Sequence, residues 1–483
     1  MKIIILGAGR VGESVADSLV SERNDITVID TDARRLRDLE SRFDLRGVVG
    51  NGIEPAVLAE AGARDTDLLI ACAALDETNL VCCKVAQRLF SIPTRIARVR
   101  SAGFQDDVLM GPEGLAVDRI ICPEESLTRY IGKLIEYPEA MQVRQFAGGR
   151  ACLVAVRARA GAPLVSHAIG ELRDILPDVD MRLVAIYRRF LDEPDRFVAC
   201  DGNTRVEPGD EVFVLAASGH IAQVLAALHR RGEQSVHPVR RIMIAGGGRV
   251  GLRLARQLAG QAGRFQVKII EDDPDRCIEL ASALPSEVLV LQGDTTDEDL
   301  LTGESVDETD LFLALTDDDE DNIMSCLLAK RMGARRVLAL INRRSYADLM
   351  HGTQIDIALS PAQAMLGELL AYVRQGDVQA VHSLRRGVAE ALEIVARGDR
   401  KSSRVVGRKV GDLQLPHDVH MGLIVRGLPD KNDVAETPLR EPEVIIPHSA
   451  TVIESDDHVV FFLPHKRLVR DVEKLFRVSA TFF

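Results

Sequence analysis

Six residues near the start of the chain, Gly7-Ala8-Gly9-Arg10-Val11-Gly12, have the spacing G-x-G-x-x-G. Where such a loop joins a strand to a helix, its first glycine makes the tight turn. The second lets backbone approach a pyrophosphate, and the third lets helix and strand pack closely. The helix that follows offers unpaired N–H groups and a partial positive charge to phosphate. Asp30 stands eighteen positions after Gly12. A carboxylate there accepts hydrogen bonds from both hydroxyls of a ribose and repels a 2′-phosphate. Gly246-Gly247-Gly248-Arg249-Val250-Gly251 with Glu271 repeats the whole arrangement. The chemistry on offer is nucleotide binding through phosphate and ribose, twice over. The competing reading is a glycine turn kept for packing alone, in a lobe that has lost its ligand.

Other residues fall beside these loops. Ala73-Ala74 and Thr316-Asp317 end the fourth strand of each half, where ligands of parallel sheets sit, although small residues there also serve packing. Arg98 ends the next strand, placed either to reach phosphate or to stand as a solvated or inter-subunit arginine. Leu340 occupies its position in the second half. The first pocket therefore offers Arg10 and Arg98, with Arg100 nearby, against Asp30, and has uncharged Asn51 and Ala74. The second offers Arg249 against Glu271, with Asp294 and Asp317 at the matching positions. On charge alone the first is expected to be the stronger site for ligands such as ATP. Asp32 and Asp273, two positions after each ribose acid, read as helix caps, and Pro274 suits a first helical position. His417-x-x-His420 has no third ligand nearby and reads as a surface loop pair. No G-x-S-x-G, Walker A or H-E-x-x-H sequence is present.

The elements that must position these residues form an internal repeat. KIIILGAGRVGESVADSLV from Lys2 reappears as RIMIAGGGRVGLRLARQLA from Arg241. DITVIDTDARRLRDLESRF from Asp25 answers QVKIIEDDPDRCIELASAL from Gln266. DETNLVCCKVAQRL from Asp76 answers DEDNIMSCLLAKRM from Asp319. Ile3 to Leu6 is the apolar run of a strand buried on both faces, and Val11, Val15 and Leu19 form the stripe of a helix packed on it. Ile26 to Ile29, Leu68 to Ala71 and Ile96 to Val99 read as further strands, with Leu36, Leu39 and Phe43 on one helix face. Strand and helix in alternation predict a parallel sheet with right-handed crossovers. Short alternating strands follow each lobe, such as Ala151 to Arg157 and Glu211 to Leu215. Thr204, Val206, Asp210 and Val212 match Thr451, Ile453, Asp457 and Val459 in spacing, and the Pro208-Gly209 turn becomes Ser455-Asp456. The expected fold class is α/β, with two Rossmann-type parallel-sheet lobes, 1–124 and 238–358. Each is followed by a small α+β module, 140–228 and 374–476. A polar linker around Arg231 to Pro238 joins the halves. The segment from Gly427 to Pro447, with Pro429, Pro438 and Pro442, reads as a long exposed loop.

Composition narrows the function. The 483 residues are 46% hydrophobic, enough for several cores, and the formal net charge of −13 argues against nucleic acid. Apolar runs such as Leu68 to Leu75 fall well short of the ~18 residues that span a bilayer. No signal-peptide layout precedes the first strand, and eight scattered cysteines without C-x-x-C fit reduced cytosolic thiols. Without a basic amphipathic segment, the chain is expected to reach a membrane only through a protein partner, with no direct lipid insertion.

With these residues in hand, the chain resembles the tandem-duplicated members of the RCK (also called KTN) domain family, which regulate K⁺ conductance. The resemblance spans essentially the whole chain. It rests on MKIIILGAGRVG, ITVIDTD, the block Asp76 to Asn79, IARVRS from Ile96 to Ser101, and RVEPGDEVFVLA from Arg205. It implies a cytoplasmic, peripheral regulator that binds NAD(H), and ATP or ADP. It also implies assembly as a ring, four such chains giving eight lobes, beneath an integral membrane K⁺-translocating subunit of Trk type. The family's nucleotide residues match Gly7 to Val11, Asp30, Ala73-Ala74 and Arg98, then Gly246 to Val250, Glu271 and Thr316-Asp317. Leu340 departs from the pattern and puts phosphate binding by the second lobe in question. Two other readings remain: control of K⁺ efflux, and an NAD-dependent dehydrogenase. The latter needs a general acid or base at the nicotinamide, and the segments after each lobe carry no catalytic signature.

Overall fold

The computed structural model describes the chain except residues 21–23, 105, 191–192, 199, 230–237, 262, 344–345, 347–353, 375–376, 386–387, 429–441 and 479–483. Most of the linker read around Arg231, and Pro429 and Pro438 of the long loop, lie outside the described residues. The chain forms two compact units, each drawing on both halves. Met1–Arg129 with Arg240–Leu369 make the first, and Tyr130–Val239 with Leu370–Phe483 make the second.

The first unit holds two parallel sheets. In lobe 1 the strands are β1 (Lys2–Leu6), β2 (Asp25–Asp30), β3 (Arg46–Val49), β4 (Leu68–Ala71), β5 (Thr94–Arg98) and β6 (Arg119–Ile121), in the order β3-β2-β1-β4-β5-β6. Lobe 2 repeats that order with β12 (Arg241–Ala245), β13 (Gln266–Glu271), β14 (Val288–Gln292), β15 (Leu311–Ala314), β16 (Val337–Leu340) and β17 (Ile357–Leu359). The order reverses direction beside β1 and β12, which creates the crevice where doubly wound sheets take ligands. Helix α1 (Arg10–Val20) buries Gly12, Val15, Ala16 and Leu19 on lobe 1's sheet. Val11, on the same stripe, faces the crevice instead. Helix α2 (Ala33–Arg42) buries Leu36 and Leu39, while Phe43 lies just past its end as the C-cap. Val99 falls one residue beyond β5.

The caps hold as read. Asp32 accepts the Arg34 N–H at 2.8 Å at the start of α2. Asp273 accepts the Asp275 N–H at 2.9 Å at the start of α6 (Pro274–Ala283), which carries Pro274 in its first turn. Longer helices cover the later strands: α3 (Asp76–Phe90) and α4 (Pro123–Glu136) in the first half, α7 (Asp319–Arg331) and α8 (Pro361–Val373) in the second. Lobe 2's glycine loop leads into α5 (Arg249–Ala259).

The second unit contains two five-stranded sheets. One comprises β7 (Ala140–Phe146), β8 (Ala151–Arg157), β9 (Met181–Arg188), β10 (Arg196–Val198) and β11 (Glu211–Ala217). Its counterpart comprises β18 (Val378–Leu384), β19 (Ala389–Val395), β20 (His420–Arg426), β21 (Glu443–Ile445) and β22 (His458–Leu463). The strand orders correspond, β10-β9-β11-β8-β7 and β21-β20-β22-β19-β18, and the inner faces share one apolar core with Phe146, Phe213 and Phe462. The matched Asp210 and Asp457 do the same work: each binds an arginine of the neighbouring strand, Arg188 and Arg426, at 2.8 Å. The Gly209 turn has φ +93° and its counterpart Asp456 has φ +68°, so the exchange leaves the turn left-handed. The segment read as loop up to Pro447 ends in a strand, because Val444 and Ile445 pair with β20 at its edge. His420 likewise opens β20 instead of lying in a loop, and exposed His417 pairs with Asp418.

Candidate functional site

Each glycine loop is shaped by contacts that its sequence makes necessary. Gly7 and Gly246 have φ of +103° and +102°, a left-handed conformation that L side chains rarely adopt. Their N–H groups bond the penultimate carbonyls of the neighbouring strands β2 and β13, Ile29 O and Ile270 O, both at 2.8 Å. A Cβ on Gly12 would lie 1.8 Å from Gly7 O, and one on Gly251 would lie 2.1 Å from Gly246 O. Those two glycines therefore serve helix–strand packing. Gly9 and Gly248 differ: a Cβ there would meet nothing within 4 Å, because both face open cavity.

The acids are tied into the loops. Asp30 accepts the Ala8 N–H at 2.6 Å with one oxygen and the Asp32 N–H at 2.8 Å with the other. Glu271 accepts Gly247 N–H at 2.7 Å and Asp273 N–H at 3.2 Å. A carboxylate oxygen has two lone pairs, so each acid can still accept from a ribose hydroxyl. Burial raises the Glu271 pKa, as does its hydrogen bond with neighbouring Asp272, against the lowering effect of the two N–H donors.

Two residues whose part the sequence did not reveal hold the far wall. Asn79 is fully buried; it accepts the Ala73 N–H at 2.8 Å and donates to the carbonyls of Ala73 and Arg98 at 3.1 and 2.9 Å. Asn322 does the same for Thr316 and Leu340, with 2.9, 3.0 and 2.9 Å bonds. This equivalence fixes Leu340 as the structural counterpart of Arg98. Asp76 caps the loop after β5 through Arg100 N–H and Ser101 N–H at 2.9 and 3.0 Å, and Asp319 does so through Asn342 and Arg343 at 2.8 and 2.7 Å. Burial opposes the Asp76 charge, but those N–H groups and the Arg100 guanidinium outweigh it and leave the pKa lowered. The signal was present in the repeated D-E-x-N at the start of each helix.

All these parts meet at one place. The carboxyl ends of both parallel sheets open onto a single cavity of about 1260 Å³. Gly7, Gly9, Arg10, Val11, Asp30, Ala73, Ala74 and Arg98 line it from lobe 1. Gly246, Gly248, Arg249, Val250, Glu271, Thr316 and Asp317 line it from lobe 2. Ala8, Gly12, Gly247 and Gly251 stand behind as loop and packing residues. Sequence reasoning treated the two pockets separately; their meeting is set by tertiary packing. Its arginine count also needs correcting. Arg98 is not a solvated arginine: it is mostly buried and bonds Glu124 at 2.9 Å, so a phosphate reaching it would have to compete with that carboxylate. Arg100 is likewise engaged, with Asp76 at 3.1 Å. The lobe 2 wall adds Asp272, Asp294, Asp318 and Asp321, and slight desolvation with the neighbouring carboxylates raises the pKa of the exposed Asp321. Among the described residues no group of three or more His, Cys, Asp or Glu side chains is arranged to hold a metal, and no helix is long and apolar enough to cross a membrane.

Comparison with known proteins fits this geometry. The TrkA-N domain model matches residues 3–123 and again 242–361, and the TrkA-C domain model matches 153–229. Trk system potassium uptake proteins TrkA of Halomonas elongata, Vibrio alginolyticus and Haemophilus influenzae are 49%, 47% and 43% identical to the chain, each over the full length of both proteins. Among solved structures, a GsuK RCK domain superposes with a TM-score of 0.57 at 15% identity, covering 98% of this chain and 94% of that one. A GsuK channel bound to NAD superposes with a TM-score of 0.58 at 15% identity, covering 98% and 78%. Those likenesses establish the fold, while the full-length identities establish more: the chain belongs to the TrkA family of Trk system potassium uptake proteins.

Proposed function

We propose that the chain is a nucleotide-binding regulatory subunit that gates a membrane potassium-uptake system from the cytoplasmic face. The observation that carries this reading is the cavity onto which both glycine loops and both ribose acids open. Gly9 and Gly248 leave room beside it where any side chain would intrude, which fits close approach of a pyrophosphate. NAD(H) is the ligand best matched by two acid-bearing loops, and a GsuK channel of the same fold has been seen with NAD. ATP and ADP are further regulatory ligands of the same cleft. The relatives are named for potassium uptake, which favours uptake over efflux and over a dehydrogenase.

On this reading modules 1–124 and 238–358 sense nucleotide, and modules 140–228 and 374–476 complete the subunit. Four chains assemble under an integral membrane K⁺-translocating partner of Trk type. Each ligand biases the gate by the difference in its affinity for the open and closed assemblies. Calorimetry tests the site. Asp30→Ala combined with Glu271→Ala should lose most NADH affinity, and NADPH should bind the unmodified chain more weakly than NADH. Unchanged NADH affinity in the double variant would overturn the assignment. Incubation with NADH and candidate carbonyls should give no sustained oxidation.

A further inference from the structure

Lobe 2 has neither partner of the Arg98–Glu124 ion pair. Leu340 stands in place of Arg98, and Ala362 follows Pro361 at the start of α8 as Glu124 follows Pro123 at the start of α4. The pair is not a solvent bridge, since the side chains are only 16% and 18% exposed. Nor is it well satisfied. Among the described residues, Arg98 Nε is buried without a hydrogen-bond partner, and the second Glu124 oxygen has only the Cys122 thiol at 3.6 Å. A guanidinium carries five donors, and an incoming phosphate offers more charge and more acceptor oxygens than this one carboxylate. Both partners line the cavity.

The same turn of α4 touches lobe 2. Glu125 lies 2.9 Å from Arg253 on α5, the helix that begins at lobe 2's glycine loop. Ser126 donates to Glu368 of α8 at 2.8 Å. We propose that Glu124 is a resident competitor for phosphate at Arg98, and that its displacement is relayed through the first turns of α4 to weaken nucleotide binding in lobe 2. This rests on the nucleotide-binding reading above. The freed carboxylate and the bound phosphates add negative charge to a cavity that lobe 2's loop shares. Release of the α4 terminus also loosens the contact that steadies α5. The coupling is reciprocal, as any linkage between two binding sites must be.

Calorimetry on the full chain tests both halves. With lobe 2 disabled by Glu271→Ala, adding Glu124→Gln should tighten ATP binding by at least about fivefold, the low end of coupling between sites. NADH, without a terminal phosphate, should gain less. A merely structural glutamate would give loss or no change, and either result for ATP overturns the proposal. With both lobes intact, saturating ATP should weaken NADH binding at lobe 2, and Glu125→Gln should reduce that effect by at least about half. An undiminished effect in Glu125→Gln overturns the relay. Arg98→Leu with Glu124→Ala installs lobe 2's own apolar pair and should keep the melting profile while lowering ATP affinity; unchanged affinity there counts against the proposal. Failure of the unmodified chain to bind any nucleotide would instead bring down the underlying reading.

Discussion

In lobe 1 the acid ending β2 is Asp30 and the loop residue above it is Ala8; in lobe 2 the acid ending β13 is Glu271 and the loop residue is Gly247. The two exchanges compensate. A Cβ on Gly247 would lie 3.0 Å from Glu271 Oε2 and 2.2 Å from Leu280 Cδ1, so the longer acid goes with the smaller loop residue. Both carboxylates then reach the same backbone N–H. Elsewhere the lobes diverge without compensation: Asn51 becomes Asp294, Ala74 becomes Asp317, and the Arg98–Glu124 pair becomes Leu340 and Ala362. What is repeated is the frame, the left-handed glycines, the packing glycines and the carboxamides that pin β4 and β15. What changes is the lining. A duplicated fold has kept its means of presenting backbone to phosphate while the two sites acquire different charge.

The largest effects should come where the lobes agree. Gly12→Ala would place a Cβ 1.8 Å from a backbone carbonyl, which no rotamer change relieves, so α1 must lift off β1. We expect about 3 kcal/mol of destabilisation, read as a shift in the denaturant midpoint, and a similar loss for Gly251→Ala. Gly9→Ala meets no atom and should stay within about 1 kcal/mol of the unmodified chain while weakening NADH. If Gly12→Ala melts normally, the packing role of the third glycine is wrong in both lobes.

A second difference between the halves lies at matched positions of β7 and β18, where Arg144 corresponds to His382. Arg144 stacks over Tyr130, whereas His382 is half-buried, edge-on to Phe146, with its ring nitrogen 3.0 Å from Gln145 O. Burial, with the Arg144 charge, pushes the His382 pKa down from 6.5 to about 3. The native module therefore refuses a proton that the unfolded chain accepts. Its contribution to stability is complete above pH 6.5 and is lost as pH falls toward 3, with a slope of at most about 1.4 kcal/mol per pH unit. His382→Gln should flatten that part of the profile; an unaltered slope would remove His382 from the account.

The fold was legible because its signals are local and doubled. Apolar runs such as Ile3 to Leu6, the glycine spacing and the Asp32 and Asp273 caps each dictate structure within a few residues. The site was legible only in part. Asp30 and Glu271 follow from spacing, but Glu124 reaches Arg98 from twenty-six positions away, and the facing of the two loops depends on packing between lobes. His420 and β21 were misread for a related reason. Short strands near a proline-rich segment gain their definition from partners distant in sequence.

The next prediction sharpens the charge comparison. Lobe 1 presents Arg10, Arg35, Arg98 and Arg100 to the cavity, the last three each beside a carboxylate, while lobe 2 presents Arg249 and Arg276 within a wall of aspartates. ATP should bind the lobe left intact by Glu271→Ala about tenfold more tightly than the lobe left intact by Asp30→Ala, a difference of about 1.4 kcal/mol. NADH, with less charge on its phosphates, should distinguish the two less. Equal ATP affinities in the two variants would mean that the lining difference is not felt by ligand.

The smallest effect concerns the proton on Glu271. Its pKa is raised, first by burial and then by the bond to Asp272, above the ordinary value of 4.5. Native lobe 2 therefore binds this proton before the unfolded chain does. The associated stabilisation is fully present below 4.5 and disappears as pH rises through the higher folded value. On the proposed reading ligand affinity runs the opposite way, because a protonated carboxyl has surrendered acceptor capacity and charge that a ribose hydroxyl would use. In the Asp30→Ala background, where only lobe 2 binds, NADH affinity should fall as pH is lowered through the raised Glu271 pKa, by no more than the loss of one charged hydrogen bond. Glu271→Gln in the same background should bind weakly at every pH and show no such fall. A decline that persists in Glu271→Gln would assign the proton elsewhere in the cavity, with Asp321, whose pKa is raised by slight desolvation and by its neighbouring carboxylates, the next group to replace.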